Sequence, residues 1–148
     1  MEYPGYTHIK SYCPDDILKL VGSKNEFIEV VIDGIKNQVH LTSLSLQCLK
    51  RSRICIKCGL EGTIMNLDMF GPGSDKEGYY FHLYAVFEGE LRLMTKDHII
   101  PKSKGGTNHL GNLQTMCDEC NNKKSNKLNI EQFNSKKKFG ETLNISLK

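Results

Sequence analysis

The sequence predicts an α+β fold, and three observations carry that expectation. Two β-prone runs meet at Asp33-Gly34, a hairpin turn signal, and a helical pattern follows from Thr42. Between Glu90 and Lys124 the pattern reads strand, loop, strand, helix. Two Cys-x-x-Cys pairs, Cys55/Cys58 and Cys117/Cys120, flank most of that region. Paired in this way, they have the form of a four-thiolate zinc site that would staple the chain.

The 148 residues suit one domain, or a small domain with an appendage. Without Trp, the core is left to Leu, Ile, Val, Phe and Tyr. The formal charge of +3 identifies no partner. Its distribution is more informative: from Arg92 onward eleven basic residues face five acidic ones, a net of +6, leaving −3 for the rest. A basic lobe of this kind attracts a phosphate backbone, although Lys136, Lys137 and Lys138 read equally well as solvated surface. No apolar h-region opens the chain, and no apolar run approaches the ~18–20 residues of a membrane span. The expectation is a cytoplasmic protein with reduced thiols, which favours zinc over disulfides at the paired cysteines. Cys13 and Cys48 are then free thiols.

Taken in order, residues 1–15 are rich in Tyr, Pro and Gly and read as an irregular arm draped over the domain. Asp15 can cap a short helix through Leu20, which Gly22-Ser23 ends. The hairpin spans Glu26 to Leu41, with His40 at its boundary. Thr42 or Ser43 caps the next helix, with Leu44, Leu46 and Leu49 turned inward. That helix ends in Lys50, Arg51 and Arg53, a cluster able to hold a phosphate or to solvate a helix end. Cys55 to Gly59 has the form of a zinc knuckle, in which Gly59 permits the tight turn.

Residues 59–116 separate the two cysteine pairs, far more than the ~15–20 of a compact zinc ribbon, so structure is inserted there. The run from Phe70 to Asp75 reads as a loop. Gly78–Glu88 and Glu90–Thr95 read as strands turning at Gly89, with His82 pointing to solvent. The second strand delivers Asp97 and His98. Pro101 stops it, Ser103 to Asn108 form a Gly-rich loop, and Asn112 to Met116 give a short strand. A helix from Cys117 or Asp118 carries Cys120, Asn121 and Lys124, the last two on one face. Ile130 and Phe133 suggest one more short helix before a lysine-rich tail.

At Asp97-His98-Ile99-Ile100-Pro101, Lys104-Gly105-Gly106, Asn112-Leu113-Gln114 and Cys117-x-x-Cys120-Asn121-x-x-Lys124, the chain resembles the HNH endonuclease family. Where the third signature position is most often His, this chain has Asn121, as in a branch with a four-Cys zinc site. The resemblance implies a ββα-metal nuclease core, here zinc-stapled over residues 51–130. Residues 1–50 would be an N-terminal hairpin and helix extension for recognition or dimerisation, and residues 131–148 a basic tail. It also implies hydrolysis of DNA phosphodiester bonds, leaving 5′-phosphate and 3′-hydroxyl ends.

Within that expectation His98 is the general base, since an unperturbed pKa near ~6.5 suits proton abstraction at neutral pH. Asp97 and Asn121 supply two oxygen ligands to one catalytic Mg²⁺ or Mn²⁺, leaving room for water and phosphate. By analogy with the family, Asn112 bonds loop backbone and orients His98. Cys55, Cys58, Cys117 and Cys120 hold the structural Zn²⁺. Lys102, Lys104, Lys124, Arg51 and Arg53 are candidates for contacting DNA, the expected partner. His109 has a loop hydrogen bond as its simplest role. The alternative is a non-catalytic, zinc-stabilised module that binds nucleic acid. The DNA target and the question of a homodimer are left open by the sequence.

Overall fold

The computed structural model describes residues 2–125. The expected helix around Ile130 and Phe133 and the basic tail lie outside the described residues. The architecture mixes α and β: a five-stranded antiparallel sheet, a separate two-stranded hairpin and short helices.

The chain begins with β1 (Tyr6–Tyr12) and α1 (Pro14–Leu18). The hairpin β2 (Phe27–Ile32) and β3 (Ile35–His40) leads into α2 (Leu44–Arg51). Next come β4 (Ile64–Phe70), β5 (Gly78–Phe87) and β6 (Glu90–His98). After two 3₁₀ turns, β7 (Leu113–Cys117) runs into a helix over residues 118–125, α3. The sheet order is β1-β4-β5-β6-β7.

Local chemistry sets these elements. Asp33 and Gly34 both adopt positive φ, the backbone of a two-residue primed turn, and Glu88-Gly89 repeats the device between β5 and β6. Ser43 caps α2 by accepting the Leu46 amide at 3.1 Å. Leu46 and Leu49 are buried as expected and Cys48 is buried with them, while Leu44 is half-buried. Pro14 starts α1 at its first position, so Cys13, not Asp15, stands at the N-cap, without a side-chain cap bond.

Two strands depart from the expectation. Residues 6–12 are no irregular arm: they pair with β4 from Tyr6–Phe70 to Tyr12–Met65, with a bulge after His8. β4 itself, in a stretch the sequence left unassigned, is flanked on both sides, by β1 and β5. Its alternation is disguised because Asn66 and Asp68 stand at positions that turn out to be buried.

The register sorts the sheet into two faces. Met65 pairs with Leu83 and Leu67 with Phe81, and these side chains form the core with Ile17, Leu41, Leu46 and Leu49. The opposite face carries Asp68, His82 and Tyr84 and, through the Tyr84–Leu93 pairing, Leu93, Thr95 and Asp97 of β6.

Asp68 is 2% exposed and accepts from Tyr84 Oη at 2.5 Å and His82 Nδ1 at 2.8 Å. His82 therefore turns to a buried carboxylate instead of to solvent. Burial and the bond to Asp68 raise the Tyr84 phenol far above its ordinary range, so it remains a donor. Asp68→Ala would leave both donors unpartnered inside the sheet. A loss of about 3 kcal/mol is expected in denaturant unfolding, and a wild-type midpoint would show that the cluster contributes nothing.

Candidate active site and cysteine cluster

The end of β6, the loop after it and α3 together build the site. β6 pairs with β7 in register, Asp97 opposite Gln114 and His98 opposite Leu113. Alternation along the strand sends Asp97 towards α3 and His98 towards the loop. Both residues border one open cavity of about 420 Å³, along with Lys96, Lys102, Asn121 and Lys124.

Asp97 is 9% exposed and well partnered. Its Oδ2 accepts from Gln114 Nε2 at 2.8 Å and from Lys124 Nζ at 2.7 Å. The same ammonium reaches the His98 carbonyl at 2.9 Å, so Lys124 clamps the Asp-His dipeptide to α3. Asn121, one turn earlier, donates to Thr95 Oγ1 at 2.9 Å. That bond uses its nitrogen, and among the described residues the amide oxygen has no hydrogen-bond partner. Two side-chain oxygens on neighbouring elements are a donor set that suits a hard divalent ion.

The His98 ring lies 2.9 Å, through Nε2, from Asn108 Oδ1. A carbonyl oxygen only accepts, which fixes the proton on Nε2 and leaves the lone pair on Nδ1. Asn112 bonds the loop backbone as expected: Oδ1 accepts from the Ile100 amide at 2.9 Å, and Nδ2 donates to the carbonyls of Ile100 at 3.1 Å and Thr107 at 2.8 Å. Asn108, Gln114 and Thr95 are the partners that sequence reasoning missed. Gln114 stood inside a motif already noted, but register alone shows that it faces Asp97. His109 makes a loop bond, accepting from the Gly111 amide at 3.0 Å.

The loop tolerates no side chain at Gly106. A Cβ there would lie 1.7 Å from the Ile100 carbonyl oxygen and 2.6 Å from its carbon. Gly106→Ala is therefore expected to unseat the loop, costing more than about 1 kcal/mol. Thermal melting checks this, and an unshifted transition would mean that the backbone adjusts freely.

Of the basic candidates, Lys102 and Lys124 border the cavity, and Lys104 is exposed on the following 3₁₀ turn. Arg51 and Arg53 lie elsewhere. Arg51 donates to the Leu110 carbonyl at 2.8 Å and Arg53 to that of Gly62 at 3.2 Å.

The four cysteines converge as expected, their sulfurs within 4.8 Å of one another. A tetrahedral ion with ~2.3 Å metal–sulfur bonds needs sulfurs about 3.8 Å apart. Cys58 Sγ and Cys117 Sγ are 3.8 Å apart, so the set fits such an ion. Gly59, at φ 79°, turns the knuckle back so that its amide reaches the Cys55 carbonyl at 3.0 Å. Burial pushes the Cys55 thiol up, but amides of Cys117, Cys58 and Lys57 outweigh it and bring the pKa down to about 6. A thiolate is the form that ligates metal. Across the cluster, Ile56 donates its amide to the Thr115 carbonyl at 2.9 Å, joining the knuckle to β7. Of the remaining thiols, Cys48 is buried and Cys13 exposed.

Comparison with family models matches residues 89–137 to the model described as HNH endonuclease. This stretch belongs to the HNH endonuclease family. The match begins at the turn before β6 and takes in β7, the second cysteine pair and α3. For the HNH segment the match suggests a nuclease-type function and implies a nucleic-acid substrate. No curated protein and no solved structure matches the chain. Among the described residues, no helix is long and apolar enough to cross a membrane.

Proposed function

We propose that the protein is a metal-dependent endonuclease that hydrolyses DNA phosphodiester bonds. One observation carries this reading: Asp97, His98 and Asn121 border a single cavity, with a histidine whose basic nitrogen is set by Asn108. Residues 51–130 form the catalytic unit, a ββα-metal arrangement in which β6, β7 and α3 are the three elements. Residues 1–50 add an edge strand, a hairpin and two short helices.

In this reading His98 Nδ1 takes the proton of the attacking water. Asn108 holds the opposite ring nitrogen as a donor, and the Asn112 staple keeps the following loop in place. The side-chain oxygens of Asp97 and Asn121 would hold a divalent ion, Mg²⁺ or Mn²⁺, whose chemistry is to neutralise charge on the phosphate and the leaving oxygen. Lys102 and Lys104 would meet phosphates beside the cut, and Lys124, bonded to Asp97 and the His98 carbonyl, would contribute only through its remaining N–H. Arg51 and Arg53 would contribute only through nitrogens not already bonded to backbone. The cysteine cluster would hold Zn²⁺ through four thiolates, a donor set that suits a structural ion.

Nicking of supercoiled plasmid that requires added Mg²⁺ or Mn²⁺ tests the proposal. A folded, zinc-loaded protein that binds plasmid, single-stranded and branched DNA yet cuts none of them would replace it with a non-catalytic binding module.

A further inference from the structure

The sheet face that carries Asp97 also carries a row of rings. Tyr6 stacks on His82 with centroids 4.3 Å apart and planes 27° from parallel. Tyr80, two residues before His82 on β5, also stacks with it, 27° from parallel with centroids 6.4 Å apart. A centroid spacing of this size belongs to an offset-stacked pair, so Tyr80 extends the ring surface begun by Tyr6 and His82. The row is held in advance. Buried Asp68 fixes His82 through Nδ1, and the Tyr80 hydroxyl is anchored on the Lys76 carbonyl at 2.7 Å.

Continuity with the candidate active site follows from the register. β5 pairs with β6 only from Tyr84–Leu93 to Phe87–Glu90, yet Tyr80, His82 and Asp97 share the face set by that pairing. Tyr80 and Asp97 lie on the strand halves that run beyond the paired region towards the same end of the sheet. α3 covers the β6 side of this face, and Tyr3 marks its near edge, ring against Tyr84 and hydroxyl on Asp118 at 2.5 Å. Among the described residues the β5 side stays open, with Tyr80 41% exposed.

We infer that Tyr80 and His82, backed by Tyr6, form a stacking platform for an unpaired base of the nucleic-acid substrate. The inference rests on the nuclease reading and narrows its substrate class to DNA with exposed bases near the cut, such as a gap or a branch. Aromatic faces on a sheet accept any base, and a base still paired within a duplex has no free face to offer.

Tyr80→Ala removes one ring of the platform without touching the Asp68 cluster, and Tyr80→Phe keeps the ring. Binding is measured without added Mg²⁺ or Mn²⁺, on intact duplex and on a gapped duplex with 2-aminopurine in the gap. Wild-type protein is expected to prefer the gapped DNA and to quench the 2-aminopurine. Tyr80→Ala should weaken gapped binding about tenfold and lose the quenching, with duplex binding unchanged. Tyr80→Phe should stay within about twofold of wild type on both DNAs. Equal wild-type affinity for the two DNAs, or a Tyr80→Ala protein that binds both as wild type does or weakens on both alike, overturns the platform. Failure of the nuclease reading shows elsewhere, as absence of metal-dependent cleavage.

Discussion

His98→Ala is expected to slow metal-dependent plasmid nicking by about 10²- to 10⁴-fold, the range that loss of a general base costs. The fold should survive, because the ring's one hydrogen bond among the described residues, to Asn108, is at an exposed position. DNA binding and zinc content should match wild type, since neither the lysines nor the cysteines contact the imidazole. The check is a time course of nicking with Mn²⁺ and Mg²⁺, beside zinc analysis and a melting curve. A variant that cuts at the wild-type rate would remove His98 from the mechanism. Asn108→Ala should act in the same direction but less severely. It leaves the base in place and frees only its orientation.

Cys117→Ser should have the largest effect on stability. Cys117 is buried at the junction of β7 and α3, so its sulfur ties the strand that positions Asp97 to the helix that carries Asn121 and Lys124. Structural zinc contributes on the order of 10 kcal/mol to folding in small zinc modules. Retention of the surrounding sheet makes a smaller loss reasonable, at least about 3 kcal/mol or roughly 10 °C in melting temperature. Zinc content should fall, and cleavage should fall with it. Unchanged zinc and an unchanged melting curve would show that the cluster is not a metal site.

The local devices of this chain are written in its sequence. Asp33-Gly34 and Gly89 mark their turns because positive φ limits the residues that can stand there. Ser43 marks the start of α2 because a helix start leaves backbone amides for a side chain to accept. The cysteine cluster was legible for a similar reason: its ligands come in short-range pairs whose spacing is set by the backbone. β1 and β4 were not legible. Their strand character depends on long-range pairing with each other, and Asn66 and Asp68 occupy buried positions that apolar patterning marks as exposed.

The candidate site divides along the same line. Asp97, His98, Asn112, Asn121 and the four cysteines were named from residue type and spacing, and the structure places each cysteine with its partners and borders one cavity with Asp97, His98 and Asn121. Asn108 as the partner of His98, Gln114 and Lys124 on Asp97, and the Asp68–His82–Tyr84 cluster came only from the fold. Sequence by itself determined which chemical groups this protein possesses and where its chain must turn. Tertiary structure decided which of those groups meet, because strand register and helix placement join residues far apart in the chain, and hydrogen bonds form only between groups so joined.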